Sequence, residues 1–183
     1  MSDQPKFEPF PKIPRLKRDC VITEKIDGTN ASVLITDDGD MHAASRTRWV
    51  MPGKDDNYGW AGFVAEHSDT FFELGTGHHF GEWWGAGIQR RYGLAEKRFS
   101  LFNTGRWTAD TCPVGLHVVP VLYHGPFSTD AVEAALCQLR ESGSVAAPGF
   151  MRPEGVVVFH VAARTLSKVT VDADDEPKSR SAA

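Results

Sequence analysis

The chain is short of cysteine, of long apolar runs and of clustered metal-binding side chains, and each shortage removes a class of protein. Its three cysteines, Cys20, Cys112 and Cys137, stand far apart in 183 residues. That spacing offers neither a disulfide framework nor a paired-cysteine zinc site. An odd number of cysteines without a secretion signal fits a reducing cytoplasm. No apolar stretch approaches the ~20 residues that cross a bilayer. The opening Met1-Ser2-Asp3-Gln4-Pro5-Lys6 also lacks a signal-peptide core. The seven histidines, His78 and His79 adjacent among them, form no ligand set and read as structural. No internal repeat is visible. What remains, 41% hydrophobic and 24% charged, is the composition of one soluble globular domain.

The formal net charge of −4 argues against a protein that coats nucleic acid non-specifically. The charges are unevenly spread. Lys12, Arg15, Lys17 and Arg18 gather near the start, and Arg90, Arg91, Lys97, Arg98 and Arg106 form a second basic group. Acid is concentrated in Asp172, Asp174, Asp175 and Glu176. A basic face for phosphates is compatible with this total.

The pattern of residues predicts an α+β domain with mostly antiparallel strands. Residues 1–18, rich in Pro and Lys, read as an extended lead-in. Strands are expected over 20–26 and 30–36, and Asp37-Asp38-Gly39-Asp40 is a hairpin signal that returns 40–47 against them. Apolar residues at near-helical spacing predict a helix from Tyr58 to Leu74. Further strands are expected over 78–84, 98–103, 116–123, 155–161 and 166–171. Ser128 or Thr129 caps a helix that runs to about Glu141 and stops at Gly143. Residues 172–183 read as a flexible, acidic, polar tail.

Several clusters bear on chemistry. Lys25 lies in Glu24-Lys25-Ile26-Asp27-Gly28-Thr29-Asn30, at the end of a strand and before an Asp-Gly pair read as a tight turn. A lysine held beside carboxylates in this way can act as an amine nucleophile; its plain structural alternative is a solvent-facing residue in a hairpin. Glu82, in Phe80-Gly81-Glu82-Trp83-Trp84, would ordinarily face solvent from its strand. Glu154 opens the buried run Gly155-Val156-Val157-Val158, where an unpaired carboxylate costs several kcal/mol unless it is partnered or binds a metal. Lys168 reads alone as an edge-strand guard against aggregation. Ser45-Arg46-Thr47-Arg48 reads as a basic strand end, and Phe99-Ser100-Leu101-Phe102 as core.

In chain order these clusters resemble the covalent nucleotidyltransferase superfamily, and within it the ATP-dependent RNA ligases of the phage nick-sealing and RNA-editing type. The resemblance rests on Lys25-Ile26-Asp27-Gly28-Thr29-Asn30, Ser45-Arg46-Thr47, Phe80-Gly81-Glu82-Trp83-x-Gly85-x-Gly87-Ile88-Gln89, Phe99-x-Leu101-Phe102, Glu154-Gly155-Val156-Val157-Val158 and Ser167-Lys168. It implies an antiparallel β-rich, ATP-grasp-like adenylation domain with flanking helices, spanning residues 19–171. It also implies roles. Lys25 matches the nucleophile that attacks the ATP α-phosphorus and carries AMP. Phe102 matches the aromatic that stacks on adenine. Glu82 and Arg46 match contacts to the ribose and phosphate region, Glu154 a carboxylate that organises Mg²⁺ or Mn²⁺, and Lys168 an α-phosphate contact. Glu24, Ile26 and Asn30 join the ATP-binding set, with Asp27 and Gly28 in support. The AMP would pass to a 5′-phosphate end and a 3′-hydroxyl would seal the strand.

Elementary chemistry agrees with that division of labour. Holding a lysine as free amine at pH 7 costs roughly 4.6 kcal/mol. Burial, a second cation at Lys168 and a divalent metal all act in the required direction. Carboxylates without histidine or cysteine partners favour Mg²⁺ or Mn²⁺ over zinc. The chain departs from the resemblance at Leu166, where many relatives carry a further lysine; that leaves Arg164 or Lys178 to meet the triphosphate. Asn103-Thr104-Gly105-Arg106 replaces the acidic residue that often follows the adenine-stacking aromatic. With so few residues after Lys168, strand contacts are expected from the two basic groups or from a partner protein standing in for a C-terminal domain. RNA is the favoured strand. A DNA-nick ligase, a capping-type guanylyltransferase and a non-catalytic nucleotide-binding module are the alternatives.

Overall fold

A computed structural model describes residues 6–53 and 55–172. The 173–183 part of the expected tail, Lys178 included, and the first five residues of the lead-in lie outside that range. Nine strands form two sheets. The four-stranded sheet has the order β7-β1-β8-β9, built from β1 (Asp19–Lys25), β7 (Val121–Pro126), β8 (Gly155–His160) and β9 (Thr165–Thr170). The five-stranded sheet has the order β3-β2-β4-β5-β6, from β2 (Thr29–Ile35), β3 (Met41–Ser45), β4 (Gly77–Gly85), β5 (Lys97–Leu101) and β6 (His117–Val118). Every pairing is antiparallel except that of β5 with β6.

Each sheet has its own core. Helix α3 (Thr129–Ser142) lays Ala135, Leu136 and Leu139 on Cys20, Ile22, Val156 and Val158. Its start is capped by the Ser128 hydroxyl, which accepts from the Ala131 amide at 3.1 Å. The larger core of the five-stranded sheet is aromatic. Trp60 of α1 (Trp60–Glu66) meets Phe99 at 4.4 Å and Trp83 at 5.4 Å between ring centroids. A third cluster, Ile26, Trp84, Tyr92, Val119 and Ala147, lies where the two sheets join.

Three sequence expectations are corrected. The helix expected from Tyr58 to Leu74 is two short helices, α1 and α2 (Ser68–Phe72), broken at His67. The His67 ring Nδ1 lies 3.0 Å from the Phe63 carbonyl oxygen, and the break turns Phe71 edge-on to Trp60. The strand expected over 116–123 is cut at Val119-Pro120. Proline has no amide to donate, and the chain passes there from one sheet to the other.

The third correction concerns Asp27-Gly28. These residues do not turn a hairpin, because β1 and β2 belong to different sheets. They form a crossover. Gly28 is needed there for close approach rather than for a left-handed turn: a Cβ on it would stand 2.5 Å from the Trp83 carbonyl oxygen and 2.7 Å from the Trp84 Cβ. The hairpin expected at 37–40 is present between β2 and β3, closed by the Thr36 amide on the Asp40 carbonyl at 2.9 Å.

Candidate active site

Lys25 is the last residue of β1, directly before the crossover. Side chains alternate along the strand, and Cys20 and Ile22 face α3. Lys25 therefore points to the opposite face, together with Thr23, Val157 and Lys168. Its partner across the sheet is Gly155, whose neighbour Glu154 reaches back: Lys25 Nζ and Glu154 Oε1 are 2.6 Å apart. Gly155 adopts φ 156°, and a Cβ there would lie 2.1 Å from the Val169 carbonyl oxygen. Only glycine lets β8 and β9 close beside the lysine. Lys168 pairs with Val157, one row from Lys25 on the same face, and is exposed; Leu166 sits two residues before it, also exposed.

The five-stranded sheet supplies the opposing wall. Asn30, Glu82 and Ser100 lie side by side across β2, β4 and β5. Glu82 is buried, contrary to the plain expectation for a strand carboxylate. Its Oε1 accepts from the Gly28 amide at 3.1 Å and its Oε2 from Asn30 Nδ2 at 3.0 Å. Burial pushes its pKa up to about 7; the Asn30 and Gly28 bonds and the Lys25 charge oppose this, and the Glu154 charge adds to it. Phe102 follows β5 on the face of Ser100 and is 43% exposed, its amide bonded to the Phe80 carbonyl at 3.0 Å. It offers an open aromatic surface rather than core. Arg46 is one residue past Ser45, at the level of Asn30, and its exposed side chain has no polar partner among the described residues.

Glu24 is the most buried of the acids, and its side chain is turned away from the cleft. Its Oε2 accepts from the Val145 and Ala146 amides at 2.8 and 2.9 Å, while Oε1 has no partner among the described residues. Desolvation raises its pKa, against bonds from Ser144, Ala146 and Val145. Ile26 packs into the cluster beneath the site.

One feature escaped the sequence reading. Asp27 does not face the cleft as a charge; its Oδ2 pairs with Arg90 Nε at 3.1 Å, and its amide donates to the Tyr92 hydroxyl at 2.8 Å. Burial raises the Tyr92 hydroxyl pKa, so this oxygen stays protonated and accepts without charge. Arg90 Nη1 also donates to the Arg152 and Pro153 carbonyls at 3.1 and 3.4 Å. One guanidinium thus ties the residue two places after Lys25 to the residue just before Glu154. The only signal in the chain was Arg90 standing directly after Gly-Ile-Gln.

The neighbouring basic residues, expected as one of two sources of strand contacts, also have partners inside the fold. Arg98 is paired with Glu96, Lys97 Nζ donates to the Tyr58 carbonyl at 2.6 Å, and Arg106 bonds the Leu74 carbonyl and lies over the Trp107 ring. Most of that group is engaged within the fold.

The described residues hold no cluster of three or more His, Cys, Asp or Glu side chains that could cage a metal. His67, His78, His79 and His160 take hydrogen-bond partners within the fold, such as the Gly75 carbonyl for His79 and the Leu16 carbonyl for His160. Glu154 Oε2, however, is buried without a partner among the described residues. A single hard oxygen donor of this kind fits Mg²⁺ or Mn²⁺, which complete their shell with water and phosphate, and does not fit zinc.

The family model for RNA ligase matches residues 18–171. No match was found among curated proteins. Among solved structures, the chain is similar to an archaeal ATP-dependent RNA ligase, with 21% identity, a TM-score of 0.61, and coverage of 88% of this chain and 48% of that one. A mutant RNA ligase of Naegleria gruberi with AMP and Mn aligns at 18% identity and TM-score 0.62, over 86% of this chain and 51% of its own. Another Naegleria gruberi mutant with ATP and Mn gives 18% and 0.60 over 86% and 51%. At these identities the likeness is one of fold, and the chain spans about half the length of the ligases it matches. The family match covers most of the chain, which belongs to the RNA ligase family.

Proposed function

We propose that this member of the RNA ligase family is an ATP-dependent polynucleotide ligase in which Lys25 is the adenylylated residue. The observation that carries the reading is the place of Lys25: a lysine at a strand end, where two sheets meet, 2.6 Å from one carboxylate and facing a second, buried one. Lys25 Nζ attacks the α-phosphorus of ATP. An N–P bond forms, the bond to the leaving pyrophosphate breaks, and Nζ loses a proton. A 5′-phosphate oxygen of the strand then takes the AMP from the lysine, and a 3′-hydroxyl displaces AMP to join the ends.

The other residues bind and orient. Phe102 gives the base a stacking surface. Glu82, fixed by Gly28 and Asn30, presents its carboxylate to the ribose side, and Arg46 and Lys168 meet phosphate oxygens. Glu154 would hold Mg²⁺ or Mn²⁺, which when bound neutralises charge on the phosphates and competes for the carboxylate that otherwise pairs with Lys25. The nucleotide and Mn in the Naegleria structures support this choice. RNA as the strand rests on family membership. A cytoplasmic setting rests on three free cysteines, and among the described residues no helix is long and apolar enough to cross a membrane.

Incubation with ATP labelled at the α-phosphate and Mg²⁺ is expected to label the protein. Lys25→Ala should carry no label while keeping a cooperative melt. A labelled Lys25→Ala band would sink the assignment. Labelling by GTP instead would point to a guanylyltransferase, and ATP binding without an adduct to a nucleotide-binding module. Nicked RNA and DNA duplexes then compare the two strand classes.

A further inference from the structure

Residues 6–18 cross the surface without helix or strand, and their side chains follow a period of three. Phe7, Phe10, Ile13 and Leu16 recur every third position and are 84%, 83%, 76% and 67% exposed. Lys12, Arg15 and Arg18 recur with the same spacing in a second phase. Three residues per turn is the period of a polyproline II chain, and Pro9, Pro11 and Pro14 fix φ in its range. The chain leaves that form at 16–18, where it bends and the Arg18 amide donates to the Leu16 carbonyl at 2.9 Å.

The segment is anchored at its end. The His160 ring accepts from the Ala163 amide at Nδ1, so Nε2 carries the proton and donates to the Leu16 carbonyl at 2.6 Å. The Arg18 carbonyl accepts from the Phe127 amide at 2.9 Å.

The basic side chains of this strap have no hydrogen-bond or ion-pair partner among the described residues, unlike most of the 90–106 group. Lys12, Arg15 and Arg18 line one recess of about 460 Å³ with Ile13, Pro14 and Ala162, and among the described residues no acid shares it. Three cations gathered without a counter-charge are a site for a polyanion. The adjacent exposed phenylalanines select among polyanions, because free phosphate has nothing to stack on them and a single strand has bases.

We infer that the 6–18 strap binds single-stranded nucleic acid, phosphates on Lys12, Arg15 and Arg18 and bases on Phe7 and Phe10. The choice of a strand as ligand rests on the proposed ligase function. The strap joins β1 at Asp19, the end opposite Lys25, six residue steps or about 20 Å away. A strand stacked at the duplex spacing of ~3.4 Å per nucleotide covers that distance in about six nucleotides, and a more extended strand in fewer.

Fluorescence anisotropy of a labelled 20-nucleotide RNA on the full chain, at several salt concentrations, tests this. A Lys12→Ala, Arg15→Ala, Arg18→Ala triple variant is expected to bind at least ~tenfold more weakly, with the log K against log salt slope reduced by about 2. Phe7→Ala with Phe10→Ala should weaken binding ~tenfold and leave that slope unchanged. Both should self-adenylylate as the unsubstituted chain does. Excess inorganic phosphate should not displace the 20-mer. Unchanged affinity and slope in the triple variant would overturn the inference, as would displacement by phosphate, or binding of the strap to anionic vesicles but not to RNA. Strap-dependent RNA binding in a chain that never adenylylates would remove the ligase reading and keep this one.

Discussion

The two sheets furnish the site by opposite means. The four-stranded sheet brings its charges in opposed signs: Lys25 ends β1 opposite Gly155, and Glu154, just before β8, meets it at 2.6 Å. The five-stranded sheet brings a lone carboxylate, Glu82, with no ion-pair partner, held by an amide and a side-chain amide. The second wall thereby holds an acid that burial has pushed up to a pKa of about 7. The nucleophile thus stands on the compensated wall and the titrating group on the uncompensated one. Two links join the walls: the Gly28 crossover, which touches β4 directly, and Arg90, which braces the crossover against the start of β8.

The largest break comes from the crossover. Gly28→Ala puts a methyl into the Trp83 carbonyl and Trp84, which must move. A loss of about 1–3 kcal/mol of stability is expected by denaturant melting, with self-adenylylation falling at least ~100-fold as Glu82 loses its amide donor. Melting and labelling close to those of the unsubstituted chain would show that the walls are not joined here.

Arg90→Lys keeps a cation but replaces a fork with a single ammonium, which cannot serve Asp27 and the 152–153 carbonyls together. Self-adenylylation should fall about tenfold, the equivalent of one charged hydrogen bond, with the melting temperature little changed. Equal losses in rate and stability would make Arg90 structural only.

A graded effect, rather than a break, comes from pH. The folded Glu82 keeps its proton to about pH 7, whereas in the unfolded chain it releases it near 4.5. Between those values the unfolded state binds fewer protons, so stability falls as pH rises, by an amount on the order of 3 kcal/mol, and levels off above 7. Glu24 acts in the same direction. Glu82→Gln should flatten the slope measured from pH 4.5 to 7 without abolishing it. An unchanged slope would mean that Glu82 is ionised throughout.

Strand positions, the 37–40 hairpin and the capped helix α3 were legible from alternation, Asp-Gly and Ser-to-Gly signals, because each is decided by neighbours in sequence. The run from Lys25 to Asn30 was legible as a unit of chemistry. Its Asp-Gly pair was misread as a turn because glycine marks close packing as readily as left-handed backbone, and only the position of Trp83 distinguishes the two. The helix over 58–74 was misplaced because spacing reports a buried face, which two helices bent at His67 present as well as one.

Residue types and their order determined which groups are available: one lysine before Asp-Gly, carboxylates at 82 and 154, an aromatic at 102, two basic stretches. Tertiary structure alone decided how they are used. Passing β1 and β2 to different sheets puts Lys25 at a seam and Glu82 across from it, a relation with no local signature. Arg90 was absorbed into that seam, while Lys12, Arg15 and Arg18 have no partners among the described residues. The reason is the same in each case. A charge is defined by sequence, but its partner is whatever the fold brings within hydrogen-bond reach.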